Sequence, residues 1–213
     1  MVLINGKTEL DYCANFIHKE ITAPEPKIEL VEIPLSDGAI NASALLSDHV
    51  FYQTRTLTIG LELRAIRKMW PILWSTILDD LHGQSVNVSF SDDPNWYWIG
   101  TASVGKLEDH GSTAGVTITV NAQPFKRTHQ QYVAAMADTV AGTGTYTIDI
   151  NHKRAYPSFT VTTSGFTVKY DGETWSLPSG KSSAYGLVLH EGENELGVHG
   201  SGKITIEYEG GSL

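Results

Sequence analysis

One cysteine, Cys13, occurs in 213 residues, so no disulfide can form within the chain and the stapling of small secreted domains is excluded. No apolar run approaches the length of a membrane-spanning helix. The first residues, MVLINGKTEL, place Lys7 and Glu9 where a signal peptide would carry its apolar core. The reading therefore expects no signal peptide and no membrane anchor. It expects a chain made in the cytoplasm that travels onward only as part of something larger. Basic residues are scarce as well: 15 against 24 acidic, a net charge of −9. That balance is wrong for a nucleic-acid clamp, which needs a basic face to displace counterions from phosphates, and equally wrong for an anionic membrane surface. Hydrophobic residues make up 41% and charged residues 18%, a composition that fills a core and does not stay disordered.

Groupings that mark an active site are also missing. The eight histidines include no HExxH, no His-x-His and no partner cysteine pair, so no metal is expected. His82 precedes Gly83 at the end of a helical pattern, where a cation would favour the helix dipole. There is no GxSxG elbow, and AGTGT (141–145) lacks the strand–helix context and lysine of a phosphate loop. Asp92 and Asp93 precede Pro94-Asn95, a turn composition. Glu191 and Glu193 in HEGEN read as loop carboxylates, and Gly200 to Gly202 as a tight turn. A glycosidase needs two carboxylates facing each other across a sugar, and spacing alone assigns no such pair. The sequence thus predicts no catalytic, cofactor-binding or metal-binding residues and no enzyme. Trp96, Trp98, Trp175 and Tyr185 are the aromatic residues that would serve as sugar platforms in a carbohydrate-binding module.

What is present is one strong helix among strands. In WPILWSTILDDLHG, Trp70, Leu73, Trp74, Ile77, Leu78 and Leu81 recur at three- and four-residue spacing, one apolar stripe with Asp79 and Asp80 on the other face. Pro71 suits the first helical turn and Gly83 a left-handed end. Alternation predicts a half-buried strand over IELVEI (28–33), ended by Pro34 and a Ser36-Asp37-Gly38 turn. Further strands are predicted over 55–63, 86–90, 96–99 and 116–120. QQYVAAMADTV (130–140) has weak helical character and AGTGT reads as a small-residue linker. Beyond it come only short strands: 146–150, 166–170 with an Asp171-Gly172 hairpin, 175–177, 187–189, 196–198 and 204–208. The fold class is mainly β: an N-terminal β-sandwich-like domain with one α-helix over 1–130, a linker over 131–144, and a C-terminal β-sandwich over 145–213.

Several segments together resemble a known family. They are ING (4–6), PEPKIELVEIPLSDG (24–38), the helix ending in LHG (81–83), SDDPNWYWIG (91–100), AQPFK (122–126) and EGENELGVHGSGKITIEYEGGSL (191–213). In this order they resemble the distal tail (Dit) proteins of siphophages and prophages of Gram-positive bacteria. The resemblance implies a virion structural protein at the tail tip. Its N-terminal domain would close into a hexameric ring that joins the tail tube protein to tail-tip or baseplate proteins, with DNA passing through the lumen without being specifically bound. It also implies a galectin-like C-terminal sandwich outside the ring. The chain is too short for the carbohydrate-binding insertion some relatives carry. The acidic balance adds the expectation of a negative or neutral lumen. Two alternatives stand beside this reading: a carbohydrate-binding adhesion module contacting the host surface, and a tail-associated hydrolase using Glu191 or Glu193.

Overall fold

The structure, a computed structural model, describes residues 1–32, 34, 37–42 and 50–213, with the side chains of all of these except 40 and 134–141. Ile33 and Ser36, to which the sequence reading assigned a strand end and the start of a turn, lie outside the described residues. The chain divides into two compact units, Met1–Pro124 and Phe125–Leu213. Both are mainly β, as predicted, and the strand pairings described are antiparallel.

In the first unit the strands are β1 (Val2–Ile4), β2 (Lys7–Thr8), β3 (Ala14–Ile21), β4 (Leu30–Glu32), β5 (Ala39–Asn41), β6 (Arg55–Leu63), β7 (Ser85–Phe90), β8 (Trp96–Asp109) and β9 (Ala114–Ala122). Seven of them pair in the order β2-β1-β7-β8-β9-β6-β3. Strand β8 serves two partners: Trp98 to Thr101 pair with β7, while Gly100 to Asp109 pair with β9. The sheet turns its corner at Gly100, where a Cβ would stand 2.5 Å from the Asn121 carbonyl oxygen. Only glycine allows that approach. Alternate residues of β6, β8 and β9, among them Leu57, Ile59, Leu61, Val104, Ile118 and Val120, fill the core, as the alternation predicted.

The helix α1 (Trp70–Leu81) forms where its stripe predicted. Trp70, Ile77 and Leu81 are buried, and Leu73, Trp74 and Leu78 pack half-buried on the same core. Pro71 sits in the first turn and Gly83 has φ +74°. The helix docks on a bulge in β8, where register slips between Val104 and Leu107. There the Trp74 indole N–H donates to the Gly105 carbonyl at 3.0 Å, and the Val104 N–H donates to His82 Nδ1 at 3.1 Å. His82 is therefore an acceptor at a bulge.

Between β3 and β6 the described residues form an arm outside this sheet. Its β4 and β5 pair with one another, and a bridge between Pro26 and Tyr52 closes its base. The strand predicted as half-buried is instead exposed throughout β4. Its alternation is real, but among the described residues β4 pairs only with β5 and its side chains on both faces are exposed.

The second unit is dominated by two long strands, β10 (Lys126–Val161) and β14 (Leu189–Ser212). Strand β10 runs along one edge of β14 from Arg127 to Ile150, then returns along the other edge from Arg154 to Val161. Strands β11 (Phe166–Tyr170), β12 (Glu173–Leu177) and β13 (Gly180–Ser183) complete it. β11 and β12 form the hairpin predicted at Asp171-Gly172, with φ values of +48° and +81°. Their inward residues, including Ile148, Ile150, Phe159, Phe166, Leu189, Leu196 and Ile204, enclose the core.

Three sequence expectations change here. Residues 131–144, read as weak helix and linker, are strand, paired from Gln131↔Glu209 to Gly144↔Val198. Small residues with little propensity of their own take the conformation a long partner strand imposes. The unit boundary falls correspondingly earlier, after Pro124. Gly200 to Gly202 are not a tight turn but lie inside β14, where a Cβ at Gly200 would stand 2.4 Å from the Phe166 ring. Leu187 and Val188 precede β14 and form no strand of their own.

Two stability predictions follow from the first unit. Trp74→Phe keeps most of the buried ring but strands the Gly105 carbonyl, so urea unfolding should show a loss of about 1–3 kcal/mol. Tyr12 lies in the core at 4% exposure, its hydroxyl without an acceptor in bonding geometry. Burial first, then the nearby Asp80 carboxylate, push that hydroxyl's pKa up to about 12. An unfolded tyrosine ionises near pH 10, so the folded state binds the proton more tightly. Stability should hold below pH 10 and fall as pH rises from 10 through 12. Tyr12→Phe should flatten that alkaline limb in a melting series.

Candidate functional site

The sequence-highlighted carboxylates do not converge. Asp92 sits at an exposed turn, hydrogen-bonded by the Lys19 ammonium at 2.5 Å, which holds its carboxyl below the usual range. The neighbouring Asp93 N–H donates to the Phe90 carbonyl at 3.0 Å, closing that turn. Glu191 and Glu193 lie within β14, both exposed, and not in a loop. Glu191 is ion-paired with Lys153, and Glu193 stands opposite Asp149 in the ladder.

The residue beside them that matters structurally is Asn194, which sequence reasoning passed over. It is 3% exposed. Its Oδ1 accepts from the Tyr170 hydroxyl at 2.8 Å and the His190 N–H at 3.0 Å. Its Nδ2 donates to the His190 and Gly192 carbonyls, each at 2.8 Å. HEGEN is thus a pinned kink in a strand, held by a fully satisfied amide. A lone asparagine inside a Gly-containing run was its only sequence signal.

Among the described residues, no three His, Cys, Asp or Glu side chains are grouped to hold a metal ion. His18, Glu62, Glu108 and His110 are among the residues that line a groove of about 200 Å³ at β3, β6, β8 and β9. His110 and Glu108 stand 3.9 Å apart there.

The four aromatic candidates separate. Trp98 is buried at 5% and packs edge-on against Phe90, with ring centroids 5.8 Å apart, so it is core. Trp96 is half-buried. Trp175 and Tyr185 come together, the Trp175 indole N–H donating to the Tyr185 carbonyl at 3.0 Å, and the Tyr185 ring is 97% exposed.

Among the described residues of the first unit, besides Met1, Leu10 and Ile17, large apolar side chains are exposed in two stretches of the chain. Ile28, Leu30, Val31, Val50 and Phe51 are exposed on the arm, and Ile66, Met69 and Ile72 at the start of α1. Exposed large apolar groups at adjoining positions mark interaction surfaces.

A mainly β chain of this kind, with its helix docked on a bulged strand, a protruding hairpin arm and a second unit of long paired strands, has the fold of the siphophage distal tail proteins. One solved structure it resembles is Dit (gp19.1) of phage SPP1, a paradigm of the hub adsorption apparatus in phages infecting Gram-positive bacteria. The two superpose with a TM-score of 0.61 over 100% of this chain and 98% of that one, at 15% sequence identity. No protein-family profile and no characterised protein matches the sequence.

Proposed function

We propose that this chain is the structural distal tail protein of a siphophage, forming a hexameric ring hub that joins the tail tube to the tip or baseplate proteins. The observation that carries the reading is the full-length correspondence with the phage SPP1 hub protein, end to end in both chains. Exposed apolar clusters on the first unit support it, since a monomer gains nothing from leaving them in water. The hub acts by shape and contact: it needs no cofactor and catalyses nothing. DNA passes through its lumen unbound. Residues 1–124 carry 15 acidic and 8 basic side chains, which disfavours phosphate retention by a ring built from this unit. Light scattering coupled to size exclusion over a concentration series tests the assembly. The expected mass is six times the 23.3 kDa chain, with rings visible in negative stain.

A second reading rests on Tyr185. A nearly fully exposed aromatic ring beside a tryptophan is what a sugar face stacks on, so a carbohydrate-binding role at the host surface is the alternative. It predicts binding on a glycan array that Tyr185→Ala abolishes while leaving the melting temperature unchanged. Silence of the wild-type protein across cell-wall glycans removes this reading.

A further inference from the structure

Arg55 opens β6 at the inward register of that strand, two residues before Leu57, and is 7% exposed. Among the described residues it is the one charged side chain that is buried. The other two buried polar side chains are accounted for: Thr128 Oγ1 accepts from the Gln130 N–H at 3.1 Å, and Asn194 is fully bonded. Arg55 is not. Its Nε is closed off from water with no acceptor, and among the described residues no carboxylate pairs with the guanidinium. Burial alone lowers its pKa, with no neighbouring charge of either sign acting on it. Across the sheet its row continues through Ala122 and Gly100, so the positions beside this long side chain carry almost no bulk of their own.

A buried charge is normally paired, because taking it out of water costs far more than taking out a neutral polar group. Replacing such a charge by an apolar side chain of similar size is often neutral or stabilising. Arg55 heads a column of Leu57, Ile59, Leu61 and Leu63, all core residues, where an apolar side chain would serve the fold better. The fold itself therefore gives no reason for an arginine there. A guanidinium matches a carboxylate edge to edge through two parallel N–H···O bonds. One cation with no second beside it is cancelled by a monoanion, whereas a doubly charged phosphate would bring an uncompensated negative charge into the same dry surroundings.

We propose that Arg55 is a carboxylate-binding site whose counter-ion is supplied from outside its own fold. The carboxylate arrives as a free ion or on an Asp or Glu side chain of a second copy of this chain. The chemistry at Arg55 is the same in both cases.

Thermal unfolding of the full-length chain tests it, with sodium acetate exchanged for sodium chloride at constant ionic strength and pH. Acetate should raise the wild-type midpoint by about 2 °C and leave that of Arg55→Met unmoved. In chloride alone Arg55→Met should melt no lower than wild type, since it removes an unpaired charge. Arg55→Gln, with the same expected behaviour, serves if the Met variant does not fold. Light scattering over a concentration series then identifies the source. If a second copy brings the carboxylate, acetate weakens association of the wild type, and Arg55→Met needs ~10-fold or more concentration to associate. If the ion is free, association is the same in both proteins while the acetate response persists. A midpoint for both variants several degrees below wild type in chloride would mean that the guanidinium is held within the fold, and overturns the proposal. So does an acetate response equal in wild type and variant together with unchanged association. Because the site is read on unfolding as well as on association, it stands or falls separately from the ring reading.

Discussion

Bending a long β-strand frees backbone hydrogen-bonding groups, and both units of this chain depend on where those groups find partners. In the first unit β8 leaves β7 for β9 and bulges at Gly105, and two side chains from the helix and its end, Trp74 and His82, take up what the bulge releases. In the second unit β14 kinks at Gly192, and Asn194 holds the carbonyls and N–H around it. Without such partners each buried orphan would cost as much as a lost hydrogen bond or more. The helix is therefore more than a lid on a sheet: it completes the strand beneath it.

That economy explains why so little of the chain is available for chemistry. Aromatic and polar residues that look functional in sequence are consumed by the architecture: Trp98 in the core, Asn194 and His82 in backbone repair, Asp92 and Glu191 in exposed ion pairs with lysines. What remains outside the fold's own needs is surface, including exposed apolar side chains on the arm and at the helix start.

Much of the fold was legible. The 3.6-residue stripe of α1, the alternation of β6 and β9 and the Asp171-Gly172 hairpin are local patterns whose physics operates within a few residues. Other features were not. Residues 131–144 have no strand signal of their own, and the twelve-odd residues of β14 opposite them decide their conformation. The exposure of β4 was equally hidden, because an alternating strand states which residues share a face but not whether anything lies against it. The candidate surfaces were illegible for the same reason: Ile28 and Ile66 are ordinary apolar residues in sequence.

The sequence by itself determined the class: mainly β with one amphipathic helix, no disulfide, an acidic balance that disfavours phosphate binding, and no catalytic spacing. Those follow from composition and short-range periodicity, which are properties of neighbours along the chain. Only the tertiary structure decided that β10 folds around both edges of β14, that Asn194 pins a kink, and that apolar side chains on the arm and at the helix start are left exposed. Each depends on which distant segments meet, and burial is a property of that meeting.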